Sequence, residues 1–199
     1  MLNTSLSLQS LPLTFPIVWL IGVAMLLIII QLWLRVYFKP SRRRHRRYIK
    51  QAAKELSVIR ALYQQGNIKG IFYHLRYKVN PYVFEEMVLT AIEDKTVKII
   101  RNKSYSGDGG IDGQFIYQRE RWLIQAKKYS HHINPQHVRL HEQICAASKT
   151  KGLFIHTGKT GKQARSRQVM MVSGHNMIKL LAGQQPLSSL LNGKGVTTR

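Results

Sequence analysis

The segment SGDGGIDG, residues 106–113, concentrates two aspartates and four glycines in a chain that has only nine acidic residues. A strand-like segment, RWLIQAK at 121–127, follows it after a short turn. Because side chains alternate along a strand, Gln125 and Lys127 project to the same side. If the two segments pair as a hairpin, Asp112 comes level with that end of the second strand. The spacing therefore predicts one cluster of Asp112, Gln125 and Lys127.

The residue types in this cluster suit the hydrolysis of a phosphodiester bond. Carboxylate and amide oxygens are hard ligands for Mg²⁺ or Mn²⁺, and Glu85, beside an apolar helical stripe, could turn inward as a third ligand. The ammonium group of Lys127 could steady an activated water or the charge that develops on phosphorus. The glycines would let backbone and phosphate approach closely. We therefore expect the scarce carboxylates to bind a metal ion.

Apolar and β-branched patterning predicts the elements that must hold these residues. Asn80 followed by Pro81 starts a helix, because asparagine caps a helix and proline suits its first position, and the pair recurs at Asn134 and Pro135. The pattern predicts helices at about 80–94, 135–149 and 160–171, and strands at about 96–100, 113–118, 121–127, 152–157 and 176–181. This order predicts an α/β fold with a mixed sheet flanked by helices.

Four stretches of the chain together resemble a known family. They are FEE at 84–86, GDGGIDG at 107–113, IQAKKY at 124–129 and GLFIHTG at 152–158. In this order they closely resemble the catalytic domain of Mrr-like restriction endonucleases, a branch of the PD-(D/E)xK nuclease superfamily. The resemblance covers about residues 80–192 and implies an αβββαβ core. One departure is His156, where related sequences often carry Thr or Ser.

The resemblance also implies roles for individual residues. Asp112 would be the metal-binding aspartate, Gln125 would take the place of the second acid in a QxK variant, and Lys127 would be the catalytic lysine. Glu85 would be the acid of the first helix. Asp108 would contact the metal through water or hold the loop. Because glutamine removes one negative charge beside the metal, we expect a lower affinity for Mg²⁺.

The distribution of charge indicates a polyanionic partner. The chain carries 31 Lys and Arg against 9 Asp and Glu, a formal net charge of +22, and residues 143–199 contain no acidic side chain. The segment 157–167 offers hydroxyls, glycine amides and basic side chains near the proposed site. We predict DNA contacts from Lys128, Lys159, Lys162, Arg165 and Arg167. Four histidines are interpreted as facing solvent or DNA: His131, His132, His137 and His141.

The N-terminal part of the chain predicts a membrane anchor. Residues 15–34 contain no charged side chain and are long enough to span a bilayer, with Trp19 and Trp33 near the two ends. The basic run SRRRHRR at 41–47 follows, and the positive-inside rule places that side in the cytoplasm. A signal peptide is disfavoured, because no Lys or Arg precedes the apolar run and no small-residue cleavage site follows it.

These patterns predict the organisation of the whole chain. A single cysteine, Cys145, excludes an intramolecular disulfide and favours a reducing compartment. Residues 48–65 predict an amphipathic helix that could lie on the bilayer or on the domain. We predict a short extracytoplasmic segment at 1–14, a transmembrane helix at 15–38, a basic connector at 39–67 and a nuclease domain at 68–199.

The function that these predictions favour is a DNA endonuclease dependent on Mg²⁺ or Mn²⁺, anchored in the inner membrane, with its domain in the cytoplasm. The resemblance suggests restriction of foreign or modified DNA, and cleavage of both strands would favour a homodimer. One alternative is a catalytically weak or inactive protein that tethers DNA at the membrane. Another is a membrane component whose basic run recruits anionic lipid or a partner complex.

Overall fold

The computed structural model describes residues 14–102, 110–166 and 168–193. The helices are α1 (Thr14–Gln64), α2 (Ile68–Tyr73), α3 (Pro81–Ile92), α4 (Pro135–Ala147), α5 (Gly174–Leu181) and α6 (Leu187–Asn192). The strands are β1 (Lys98–Arg101), β2 (Gly113–Tyr117), β3 (Glu120–Lys127), β4 (Lys151–His156) and β5 (Val169–Val172). A π-helical turn, His74–Lys78, follows α2, and a 3-10 turn, Lys162–Ala164, precedes β5.

The five strands form one mixed sheet in the order β1-β2-β3-β4-β5. The pairs β1–β2 and β2–β3 are antiparallel, whereas β3–β4 and β4–β5 are parallel. A two-residue turn at Gln118 and Arg119 joins β2 to β3, and both residues have positive φ, at 50° and 65°. Such turns match the twist of a hairpin. The run from α3 to β4 confirms the predicted αβββαβ core and the mixed sheet flanked by helices.

Helices cover both faces of the sheet. In β4, an interior strand, Leu153 and Ile155 belong to the large buried cluster that includes residues of α3 and α5. Phe154 belongs instead to a smaller cluster with Val138 of α4. Because side chains alternate along β4, α3 and α4 pack on opposite faces. A strand buried on both faces is typical of a parallel pair covered by helices.

The segment predicted as an amphipathic helix at 48–65 forms the last part of α1. Ala52, Leu56 and Ile59 from this segment are buried in the cluster that also contains Phe84 and Met87 of α3. Full burial of each large apolar side chain contributes about 1.5–3 kcal/mol. Of the two locations open to this helix, the structure therefore shows the one on the domain. Residues 44–199 form one compact unit.

One apolar stretch in the described part of the chain, Val18–Arg35 in α1, is long and apolar enough to cross a membrane. Its mean hydropathy is 2.2, and its side chains are exposed. Eighteen residues of helix measure about 27 Å, close to the thickness of the hydrocarbon core.

Two predicted elements near the C-terminus are wrong. The predicted helix at 160–171 is a short 3-10 turn followed by β5, because Val169 and Val172 pair with β4 and are buried there. The predicted strand at 176–181 is part of α5. Its apolar residues Met177, Ile178 and Leu181 follow helical spacing and are fully buried.

Candidate active site

Asp112 lies immediately before β2 and is fixed to β3 by two hydrogen bonds. Its backbone amide donates to the carbonyl of Ile124 over 2.9 Å. Its carboxylate oxygen Oδ2 accepts from the backbone amide of Ala126 over 2.6 Å. These two bonds lie on either side of Gln125 in the sequence of β3. The hairpin register, with Gly113 opposite Ile124, thus brings Asp112 next to Gln125.

Gln125 is only 3% exposed. Its amide oxygen Oε1 is buried and has no hydrogen-bond partner among the described residues. A buried carbonyl oxygen without a partner costs about 1–3 kcal/mol, so such an atom requires an explanation. Gly110 packs against the nitrogen of the same amide. Its φ is +89°, and a Cβ at this position would lie only 3.0 Å from Nε2 of Gln125. The oxygen is therefore available to a ligand that supplies positive charge.

Glu85 of α3 interacts electrostatically with the same group of residues. Burial and, after it, the negative charges of Asp112 and Glu86 raise the pKa of Glu85 to about 8, although the charge of Lys127 lowers it. These interactions show that the Glu85 carboxyl lies near both Asp112 and Lys127. Lys127 ends β3 and is half-buried on the same face as Gln125. The four residues predicted from the sequence, Asp112, Gln125, Lys127 and Glu85, are thus brought together.

The base of the glycine-rich loop is closed by Asn102, a residue that sequence reasoning missed. The side-chain amide of Asn102 donates to the carbonyl of Ile111 over 2.5 Å. This bond joins the residue after β1 to the residue before Asp112. Asp108, predicted as a further metal contact, lies outside the described residues.

A second missed residue is Glu86, which is 1% exposed and neighbours Glu85. Its carboxylate lies 3.3 Å from Nε of Arg101 and 3.4 Å from Nδ1 of His45. The Arg101 guanidinium also contacts Glu93 over 3.1 Å. The signal in the sequence was the pair of adjacent glutamates at 85 and 86, of which a helix can direct only one into the candidate site.

Comparison with known proteins places this domain in a family. A protein-family model described as a restriction endonuclease, of the Mrr catalytic type, matches residues 76–190. That range is more than half of the chain and contains all four clustered residues. The chain belongs to this restriction endonuclease family.

Comparisons with curated proteins and with solved structures do not extend this assignment. No curated protein matches the chain. A solved structure of SfsA from Pyrococcus furiosus in complex with Ca²⁺ is similar over 46% of this chain and 54% of that chain, with 11% identity and a TM-score of 0.33. At that level the similarity bears on neither the fold nor the function.

Membership of the restriction endonuclease family makes residues 76–190 a nuclease-type domain, and such domains generally use divalent metal ions. The donors here fit a hard cation, because the carboxyl groups of Asp112 and Glu85 and the buried Oε1 of Gln125 are all oxygen ligands. Among the described residues, no group of three or more His, Cys, Asp and Glu side chains could hold a metal ion. The amide of Gln125 would therefore have to complete the ligand set of the nuclease.

The basic loop of the endonuclease domain, residues 157–166, follows the carboxyl end of β4. Lys159 fastens it to the segment after β3: its amide donates to the His131 carbonyl over 2.9 Å, and its carbonyl accepts from Ile133 over 3.1 Å. The predicted DNA contacts Lys159, Lys162 and Arg165 are exposed on this loop. Because β3 and β4 are parallel and Lys127 pairs with His156, the loop begins at the same end of these strands as Lys127.

The structure places Lys128, another predicted DNA contact, differently. The ammonium group of Lys128 donates to the carbonyl of Val79, two residues before the start of α3. Burial lowers the pKa of Lys128. This side chain therefore joins two segments of the nuclease. Arg167 lies outside the described residues.

The prediction that all four histidines face solvent or DNA is wrong for His141. That ring is fully buried, and its Nε2 lies 3.8 Å from Sγ of Cys145. Burial lowers the pKa of His141 to about 4, so the ring is neutral. The reason is helical geometry, since His141 lies on the same face of α4 as the buried Val138 and Cys145. His131 and His132 are exposed, and His137 is half-buried.

Proposed function

We propose that this restriction endonuclease is a membrane-anchored DNA endonuclease that requires Mg²⁺ or Mn²⁺ and cleaves foreign or modified DNA. The observation that carries the proposal is the buried Oε1 of Gln125, which has no hydrogen-bond partner in the described part of the chain and lies beside Asp112, Glu85 and Lys127. In a site with no ligand, a buried carbonyl oxygen next to two carboxyl groups would lower the stability of the fold. It becomes favourable when a cation is shared among the three oxygens.

Asp112, Gln125 and Glu85 would hold the cation, which when bound would neutralise phosphate charge and acidify water. The hydrogen bond from the Ala126 amide orients the Asp112 carboxylate, so its geometry does not depend on the ligand. Lys127, two residues beyond Gln125 on the same face of β3, would hold the attacking water or stabilise the charge on phosphorus. The exposed bases of the 157–166 loop would bind the DNA backbone.

The membrane part of the proposal rests on the stretch Val18–Arg35 and on the basic residues that follow it. A helix of this length and hydropathy can span a bilayer, and positive charge after it favours the cytoplasmic side. The nuclease domain would then face the cytoplasm, where DNA is available. We expect the full-length protein to stay in the membrane pellet after extraction at alkaline pH and to be released by detergent.

The test of the nuclease is a cleavage assay with full-length protein in detergent micelles. Supercoiled plasmid, methylated or unmethylated, is incubated with Mg²⁺ or with EDTA. We expect nicked or linear product only with Mg²⁺, no product from Lys127→Ala or Asp112→Ala, and normal product from Lys98→Ala, an exposed lysine on β1. Cleavage by Lys127→Ala at the parental rate would remove that residue from the mechanism.

A second function is favoured by Gln125 itself, because an amide supplies less charge to a cation than a carboxylate would. If the cation binds weakly, the protein would hold DNA at the membrane without cutting it. Retention of plasmid with no Mg²⁺- or Mn²⁺-dependent cleavage on either plasmid would support this tether over the endonuclease.

A further inference from the structure

A tyrosine and a histidine form a closely bonded pair just beyond the catalytic end of β3. The hydroxyl of Tyr129 lies 2.6 Å from Nδ1 of His137, and the two ring centroids are 6.0 Å apart. Tyr129 follows Lys127 by two residues, and His137 lies in the first turn of α4. Neither residue has a part in the cation site described above.

The direction of this hydrogen bond follows from the surroundings of the tyrosine. Burial raises the pKa of Tyr129 to about 12, so the hydroxyl keeps its proton, and the backbone of Asn134 also hydrogen-bonds the hydroxyl. A backbone amide can only donate, so the hydroxyl proton is directed to the other neighbour, Nδ1 of His137. Burial and then the charge of Lys127 lower the pKa of His137, which favours the neutral ring. A neutral imidazole that accepts at Nδ1 carries its hydrogen at Nε2.

Two further contacts hold this pair next to the substrate-binding elements. The Tyr129 amide donates to Oγ1 of Thr157 over 2.8 Å, and that hydroxyl donates back to the Tyr129 carbonyl over 2.8 Å. Thr157 is the first residue of the basic loop, and Arg76 binds its carbonyl through two nitrogens at 3.0 and 2.7 Å. The Thr157 amide in turn donates to the carbonyl of Lys127 over 3.3 Å, which places the pair at the end of β3 that carries Lys127. His137 therefore lies within reach of both Lys127 and the loop.

We propose that His137 contacts the substrate, donating from Nε2–H to a phosphate oxygen of DNA beside Lys127, and that Tyr129 is the positioning residue that fixes its tautomer. The inference rests on the proposed nuclease function, since it assigns a contact within the same site. A neutral donor suits this place, because a second full positive charge beside Lys127 would be repelled. The donor stabilises negative charge as the phosphate becomes pentacoordinate.

The first test is single-turnover cleavage by the full-length protein in detergent micelles with Mg²⁺. Loss of one preorganised donor costs on the order of 100-fold in rate, so we expect that loss for His137→Ala. His137→Gln, whose amide can donate, should recover part of the rate, and Tyr129→Phe should lose about tenfold. DNA affinity in EDTA should change no more than a few-fold. His175→Ala, an exposed histidine of α5, should keep the parental rate.

The second test does not require cleavage. Selective ¹⁵N-histidine labelling reports the tautomer of His137, which should carry its hydrogen at Nε2 in the parent and be mixed in Tyr129→Phe. Addition of an oligonucleotide duplex in EDTA should shift the Nε2 signal of His137 and not that of His175. If the parent fails to cleave DNA while this shift occurs, the nuclease proposal fails and the contact stands. A parent that cleaves DNA, with an unchanged rate for a folded His137→Ala, overturns the contact alone.

Discussion

The imidazole of His45 lies 3.4 Å from the buried carboxylate of Glu86, the residue that neighbours the candidate metal ligand Glu85. His45 belongs to α1, nineteen residues before Gln64 at the end of that helix, and Glu86 belongs to α3. A second contact joins α1 to the domain, because Oε2 of Glu55 in α1 lies 2.6 Å from Nε2 of His74 in the π-helical turn. The helix that follows the basic run is therefore a part of the nuclease.

This relationship predicts where a soluble fragment must begin. A fragment of residues 44–199 keeps Ala52, Leu56 and Ile59 in the core, whereas 67–199 loses them. Two large side chains at about 1.5–3 kcal/mol each are a major part of the stability of such a domain. We expect a cooperative thermal transition for 44–199 and none for 67–199, measured by circular dichroism. Equal Tm values would show that α1 is dispensable.

Within the longer fragment, Leu56→Ala provides the matched test of the same contact. The side chain is 2% exposed, so its truncation should destabilise the fragment by about 2–5 kcal/mol in urea denaturation. Val58→Ala, which truncates a side chain that is 39% exposed on the same helix, should change stability by less than about 0.5 kcal/mol.

A second prediction concerns the ion pair between Arg101 and Glu86. Because Glu86 is 1% exposed, Arg101→Met leaves a buried carboxylate poorly compensated, and we expect a loss of about 3 kcal/mol. The double variant with Glu86→Gln should recover at least half of that loss, since the buried charge is then absent. Arg121→Met removes an exposed arginine that contacts Gln114 and should cost little. Additive effects of the two substitutions at 101 and 86 would contradict the pairing.

A third prediction concerns the amide in the candidate metal site. Gln125→Glu adds a carboxylate beside Asp112 and Glu85, so the protein without metal should become less stable through repulsion and burial. The added charge should tighten cation binding, and we expect the Mg²⁺ concentration for half-maximal stabilisation to fall about tenfold. The measurement is Tm against Mg²⁺ concentration. Gln114→Glu on β2 is the control, and an equal Mg²⁺ response from it would argue against a site at Gln125.

Much of the candidate site could be predicted from the sequence, because it depends on local geometry. Strand alternation places Gln125 and Lys127 on one face, and a two-residue hairpin turn fixes their distance from Asp112. The asparagine cap and following proline set the start of α3, where the side chain of Asn80 accepts from Tyr82. Each of these features involves residues close in the chain.

What could not be predicted depends on contacts between distant residues. The segment around Val169 becomes a strand only because β4 offers a parallel partner, and the segment before it has no apolar stripe that would sustain a helix. The ion pair of Glu86 with Arg101 joins α3 to β1. The burial of His141 depends on which face of α4 packs on β4, since Gly152 leaves room for that ring. None of these partners is visible within one local segment.

The last prediction follows from the two fully buried histidines, His141 and His156. Burial lowers the pKa of each to about 4, below the value of about 6.5 for an exposed histidine. The unfolded chain therefore binds more protons than the folded chain between pH 6.5 and pH 4. Stability is unaffected by these groups above pH 6.5 and falls as the pH drops through that window, by on the order of 3 kcal/mol for each histidine at the acid end.

Urea denaturation of the 44–199 fragment from pH 7.5 to pH 4.5 measures this slope. His156→Gln removes one titrating ring while an amide can still meet the hydroxyl of Thr160, which lies 3.1 Å from Nε2 of His156. We expect the variant to be less stable than the parent at pH 7.5 and to lose less stability toward pH 4.5. His175→Ala, which removes an exposed ring of α5, should keep the parental slope. A parental slope in His156→Gln would mean that another group controls the acid sensitivity.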